Sequence, residues 1–162
     1  MKADELMDIV AARLNVAGLK LNDQRVAGLT VGELEVSFEE DDEGLWLHVY
    51  ADVLDDASRL SKERLLELLR AHHLFNDVPN ATFGVSRTGA LTLFMRVQLQ
   101  ASLSAEVWMA MFLSFLVSLR DWREALAGEG LSEGSSATPS VTETESFTVP
   151  DDRFISLNGF SV

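Results

Sequence analysis

A chain of 162 residues with 47% apolar composition is long enough for one domain with a real core and an appendage. Its 26 acidic against 13 basic residues give a formal net charge of -13, which argues against DNA, RNA or an anionic membrane surface as partner, since phosphate neutralisation needs clustered Lys and Arg. The absence of cysteine removes disulfides, thiolate zinc sites and a cysteine nucleophile, and fits a reducing cytoplasm.

The opening stretch MKADELMDIVAARLNV sets three acids among its first eight residues, unlike a secretory signal, so no targeting segment is expected there. Leu6, Ile9, Val10 and Leu14 recur at three- and four-residue spacing and predict a first helix from about Ala3 to Val16, with Asp8 and Asn15 on its polar back. Gly18 breaks it. In GELEVSFEE, Leu34, Val36 and Phe38 alternate with acids and a serine, the period of a strand with one buried face. Asp41, Asp42, Glu43 and Gly44 turn the chain. LWLHVYADV then alternates again, with Leu45, Leu47, Val49 and Ala51 on one side and Trp46, His48 and Tyr50 on the other. The two runs predict an antiparallel hairpin, and LKLN or VAGLTV upstream is a candidate third strand.

Ser61 opens a second predicted helix, rich in leucine at Leu65, Leu66, Leu68 and Leu69 and ending near His73. ATFGVSR and ALTLFMRVQL, joined through Thr88 and Gly89, predict a second hairpin. Ser102 or Ser104 caps the helix AEVWMAMFLSFLVSLRDW, with Glu106 in its first turn, where an acid complements the helix dipole. Its uncharged run from Val107 to Leu119 is 13 residues, short of the roughly 20 needed to cross a bilayer, so no membrane insertion is expected. Trp108, Phe112, Phe115, Leu119 and Trp122 share one stripe, expected to face the sheet. Met109, Leu113, Leu116 and Val117 make much of the other side apolar, and that side needs its own cover: the first helix, another copy of the chain or a client. From Gly128 the composition turns to Gly, Ser, Thr and Glu, which predicts a domain over residues 1–127 and a flexible acidic tail over 128–162. That tail ends in an apolar segment, DDRFISLNGFSV, capable of docking.

No constellation carries enzyme chemistry. His72 and His73 are adjacent, so on a helix they point about 100° apart and do not grip one metal as an i, i+4 pair does. The acidic run EEDDE, Glu39 to Glu43, lacks the alternating ligands and the glycine of a calcium loop and reads as a solvated turn. Asp55 and Asp56 have no partner acid or nucleophile. No Gly-x-Ser-x-Gly elbow follows a predicted strand, and neither Gly-rich phosphate loop occurs. No catalytic residue, metal or cofactor is expected, and the function is expected to lie in surfaces.

The succession of elements, with the segments LLELLRAHHLF, GALTLFMRVQL and FLSFLVSLRDWREAL, resembles the small acidic class I chaperones of bacterial type III secretion, the Tir-chaperone or CesT-like family. The likeness spans roughly residues 3 to 126 and rests on apolar pattern and size. The family's Leu-Leu-x-Ala-Asn run is matched by Leu68, Leu69, Arg70 and Ala71, but His72 stands where the Asn would be. The resemblance implies an α+β protomer with a twisted antiparallel sheet and three helices, a cytoplasmic homodimer, and a function without turnover. That function is to bind the amino-terminal segment of secreted effectors and hold it unfolded and secretion-competent for the secretion ATPase. An acidic chain stays soluble while presenting apolar grooves, and a free strand edge can accept a client strand. The candidates for client contact are Leu6, Ile9, Val10, Leu14, Leu34, Val36, Phe38, Leu47 and Val49. The family architecture suggests Leu65, Leu66, Leu69, Leu93 and Met95 for the dimer interface. The alternative is a regulatory partner of the same fold that sequesters a transcriptional activator or anti-activator.

Overall fold

Strands alternating in burial demand a cover, and the cover is the last helix. The computed structural model describes residues 1–73, 78–99 and 102–127. Its elements are α1 (Ala3–Leu14), β1 (Val26–Val31), β2 (Leu34–Glu40), β3 (Trp46–Leu54), a 3-10 turn (Ala57–Arg59), α2 (Lys62–Ala71), β4 (Thr82–Val85), β5 (Leu91–Gln98) and α3 (Ala105–Leu126). The five strands form one antiparallel sheet in the order β1-β2-β3-β5-β4. The α+β order helix, three strands, helix, two strands, helix is the expected one. VAGLTV is the third strand, whereas LKLN is not in a strand. The expected tail, residues 128–162, lies outside the described residues, as do 74–77, 100 and 101.

Each helix starts where its local chemistry satisfies the orphan amides. Glu5 reaches back to the Lys2 backbone amide at 2.9 Å at the head of α1, which also carries Asp4 in its first turn. The helix stops at Asn15, whose φ of 54° lies in the left-handed region that asparagine tolerates, so it ends a little before the expected Val16. Ser61 Oγ accepts from the Arg64 amide at 3.2 Å, and Ser104 Oγ accepts from the Val107 amide at 3.3 Å, so Ser104 is the cap of α3.

The sheet is two-sided because side chains alternate along each strand. In register, Ala27, Phe38, Val49 and Met95 form a row across four strands, all buried. Leu47 opposite Val97 and Ala51 opposite Leu93 extend this inner face. Across it lies α3, with Trp108, Phe112, Phe115 and Leu119 fully buried and Trp122 nearly so. Phe112 meets Phe38 at 5.6 Å between ring centroids and Trp108 at the same distance; at the other end Trp122 stands edge-on to Phe83 of β4 at 5.1 Å. The stripe faces the sheet, as its spacing predicts.

α1 also packs against α3. Trp108 Nε1 donates to the Leu6 carbonyl at 3.0 Å, a buried bond between residues 102 positions apart. It satisfies the indole inside an apolar core, where an unpaired donor is costly. Met109 and Leu116 are buried, Leu113 is half-buried and Val117 is exposed. A second tie holds α1 to the sheet: Arg25, at a left-handed φ of 60°, pairs with Asp4 of α1 and Glu40 of β2. These partners raise its pKa.

The acidic β2–β3 turn is organised by its own backbone. Asp41 accepts from the Trp46 amide at 3.0 Å and from the Leu45 amide at 2.7 Å. These bonds, the one from Trp46 foremost, hold its carboxyl below the usual carboxylate range. A depressed folded pKa means that the contribution to stability is present above the unfolded value near 3.8 and lost as the pH falls through the lower folded value. Urea midpoints measured from pH 6 down to about pH 2.5 should therefore fall less steeply for Asp41→Asn than for the parent chain; parallel curves would contradict this assignment.

For the core, Trp108→Ala should cost about 3–5 kcal/mol in urea unfolding. Trp108→Phe, which keeps most of the apolar volume and loses the bond to Leu6, should cost about 1–2 kcal/mol.

Candidate functional site

A binding site built from apolar side chains must leave them accessible, so the placement of each candidate decides what it is able to touch. Leu6, Val10, Leu14, Val36, Phe38, Leu47 and Val49 are all buried in the protomer's own core. α1 turns its candidates onto α3, and the candidates of β2 and β3 lie on the phase that α3 covers. As folded, these seven offer no surface. Ile9 and Leu34 are half-buried and pack against the edge of the core, so they retain reachable area. Leu34 begins β2, beside β1. Among the described residues β1 pairs with β2 alone in the sheet, so one side of β1 is an open edge there.

The interface candidates divide in the same way. Leu93 and Met95 lie on the inner phase of β5 at 0% and 1% exposure, so they have nothing to present to a second chain. Leu65, Leu66 and Leu69 of α2 do, at 40%, 41% and 58% exposure. Only Leu68 and Ala71 of this helix are buried. A 10-residue helix carrying leucine at Leu65, Leu66, Leu68 and Leu69 has apolar groups around more than one side, and a single support beneath it buries only part of them.

The outer face of the sheet was legible as the alternate phase of β3 but was not assigned a role. It carries Trp46, His48, Tyr50 and Asp52 from β3, and Thr92, Phe94 and Arg96 from β5. The Arg96 guanidinium lies 3.9 Å over the Trp46 ring. His48 meets Phe94 edge-on at 5.4 Å, with its Nε2 buried and without a hydrogen-bond partner among the described residues. Tyr50 donates to Glu39 at 3.3 Å, and Thr92 donates to Asp52 at 3.0 Å. Burial first, then the nearby charge of Glu39, raises the pKa of Tyr50.

The histidines of the described residues stand in two places, His48 apart from the adjacent His72 and His73. His48 belongs to the outer sheet face, while His72 caps the end of α2 and lies 6.4 Å from Phe83. Among the described residues no three His, Cys, Asp or Glu side chains converge on a metal position, and no helix is long and apolar enough to cross a membrane. Asp56 caps the 3-10 turn by accepting from the Ser58 amide at 2.9 Å. The string GLSEG at residues 130–134 has the Gly-x-Ser-x-Gly spacing but follows α3 rather than a strand, and it lies outside the described residues.

Comparison with known proteins agrees with this architecture. Residues 5–123 match the model of the Tir chaperone protein (CesT) family. No curated protein sequence matches the chain. Among solved structures, the chain is similar to one in the ExsC–ExsE complex, with a TM-score of 0.63 and 23% identity over 78% of this chain and 97% of that one. It is also similar to a chain of the Yersinia pestis type III secretion chaperone SycH in complex with a stable fragment of YscM2, with a TM-score of 0.58 and 15% identity over 76% and 98% of the two chains. A third likeness is to the heterodimeric ExoU–SpcU complex from the type III secretion system of Pseudomonas aeruginosa, with a TM-score of 0.57 and 16% identity over 78% and 96%. At these identities the likeness carries the fold.

Proposed function

The chain belongs to the Tir chaperone protein (CesT) family, and from that premise we propose that it is a type III secretion chaperone. It binds the amino-terminal segment of one or more secreted effectors, keeps that segment unfolded and secretion-competent, and prevents its aggregation. The observation that carries this reading is the family match over residues 5–123, on a fold shared with chains solved in chaperone complexes. The role is binding without turnover, in the bacterial cytoplasm, with the secretion ATPase as a downstream partner. The physical features favour it. A net charge of -13 favours solubility while apolar surface stays open for a client. The open edge of β1 suits an extended client strand, whose main-chain hydrogen bonds confer affinity without a fixed sequence.

Dimerisation follows from α2 in this reading. Leu65, Leu66 and Leu69 of two copies cover one another and remove about 1.5–3 kcal/mol of exposure per well-buried leucine.

Two measurements test the proposal. Co-expression with the first ~50–100 residues of an effector, the length that wraps a large surface as an extended chain, should give a soluble complex that resists aggregation. If capture instead requires a folded DNA-binding protein, the regulatory alternative replaces the effector chaperone. Light scattering after size exclusion should give twice the 17.9 kDa chain mass, and Leu65→Ser with Leu69→Ser should raise the dissociation constant about a hundredfold or more while the protomer stays folded. A parent chain that runs at the protomer mass at high concentration would remove the dimer from the proposal.

A further inference from the structure

The sheet's outer face holds a groove of about 430 Å³ lined by Tyr50, Asp52, Gly84, Thr92 and Phe94, with the β4–β5 turn at its rim. Its origin is a missing side chain. Gly84 lies opposite Thr92, and a Cβ built on it would meet nothing within 4 Å, so β4 supplies floor but no wall. Tyr50 and Phe94 stand opposite each other in register, and both line the groove. Beside them, Asp52 accepts from Thr92 through Oδ1, while its Oδ2 has no hydrogen bond among the described residues. Glu39 holds the Tyr50 hydroxyl from the far side.

Ring faces bordered by carboxylates form a site for a cation. The same face already shows the pairing once, where Arg96 lies on Trp46. Tyr50 and Phe94 offer a second such platform with no cation of the described residues upon it: Arg87, in the adjoining turn, does not line the groove. The geometry points to a binding site for an arginine or lysine side chain of an extended polypeptide, lying along β4 and placing its cation between Tyr50, Phe94 and Asp52. The acidic balance of the chain favours that occupant over any polyanion. This rests on the reading of the chain as a binder of extended polypeptide, and adds a chemical preference of the client at a surface separate from the β1 edge.

The test uses the full chain and the peptide Ac-GSRSG-NH2, with its citrulline counterpart as the uncharged control, followed by amide NMR. Titration with the arginine peptide should move the signals of Tyr50, Asp52, Gly84 and Thr92, and the citrulline peptide should bind about fivefold more weakly, the size of an exposed cation–π and ion-pair contribution. Asp52→Asn should weaken binding by a similar factor. Gly84→Leu should fill the groove and abolish the shifts, with each variant's melting temperature showing that the fold survives. Equal binding of the two peptides, shifts on another face, or shifts that persist in both variants would overturn the site. Because no effector is used, failure here is distinguishable from failure to capture an effector segment.

Discussion

The architecture depends on one strip of contact, the aromatic stripe of α3 laid across the inner row of the sheet. Phe112 on Phe38 and Trp122 on Phe83 connect the helix to strands near opposite edges of the sheet. Trp108 then joins the same helix to α1 through the Leu6 carbonyl. No hairpin closes its own core before the last helix arrives, because α3 is the element that covers the inner phase of β2 and β3. Folding must therefore bring together groups about a hundred residues apart, a long loop closure that local hairpins and helices do not reward by themselves.

Much of this was legible because alternation and helical spacing are local signals. The inward phases of β2, β3 and β5 and the buried stripe of α3 follow directly from residue order. The strand order was not, since hairpin signals specify β2 with β3 and β4 with β5, while the β3–β5 pairing that joins the two hairpins is set by the register of distant residues. The apolar positions read as client-binding candidates were the ones that alternation shows most clearly. That clarity is what a core position has, and α3 buries them. The leucines of α2 stay exposed because they exceed what one supporting surface is able to bury. Leu93 and Met95, named for the interface on the family architecture alone, lie on the inner phase of β5.

Charge and apolar surface are divided by location. The inner face is almost free of polar side chains; the outer face mixes aromatics with Glu39, Asp52, Thr92 and Arg96. Ion pairs such as Arg25 with Asp4 and Glu40 sit where elements meet, tying the start of α1 to the end of β2. Partly exposed pairs of this kind contribute modestly to stability and more to geometry.

The two faces of β3 have a consequence for how such a protein diverges. Leu47, Val49, Ala51 and Val53 answer to the packing of α3, so their volumes are constrained together. Trp46, His48, Tyr50 and Asp52 alternate with them on the same nine-residue strand yet answer mainly to what lies outside. Substitutions in the second set are free to accumulate without disturbing the first. A lineage is able to retune its outer face for a new partner in small steps, each nearly neutral for folding, while the scaffold beneath stays recognisable in shape long after most of its residues have changed.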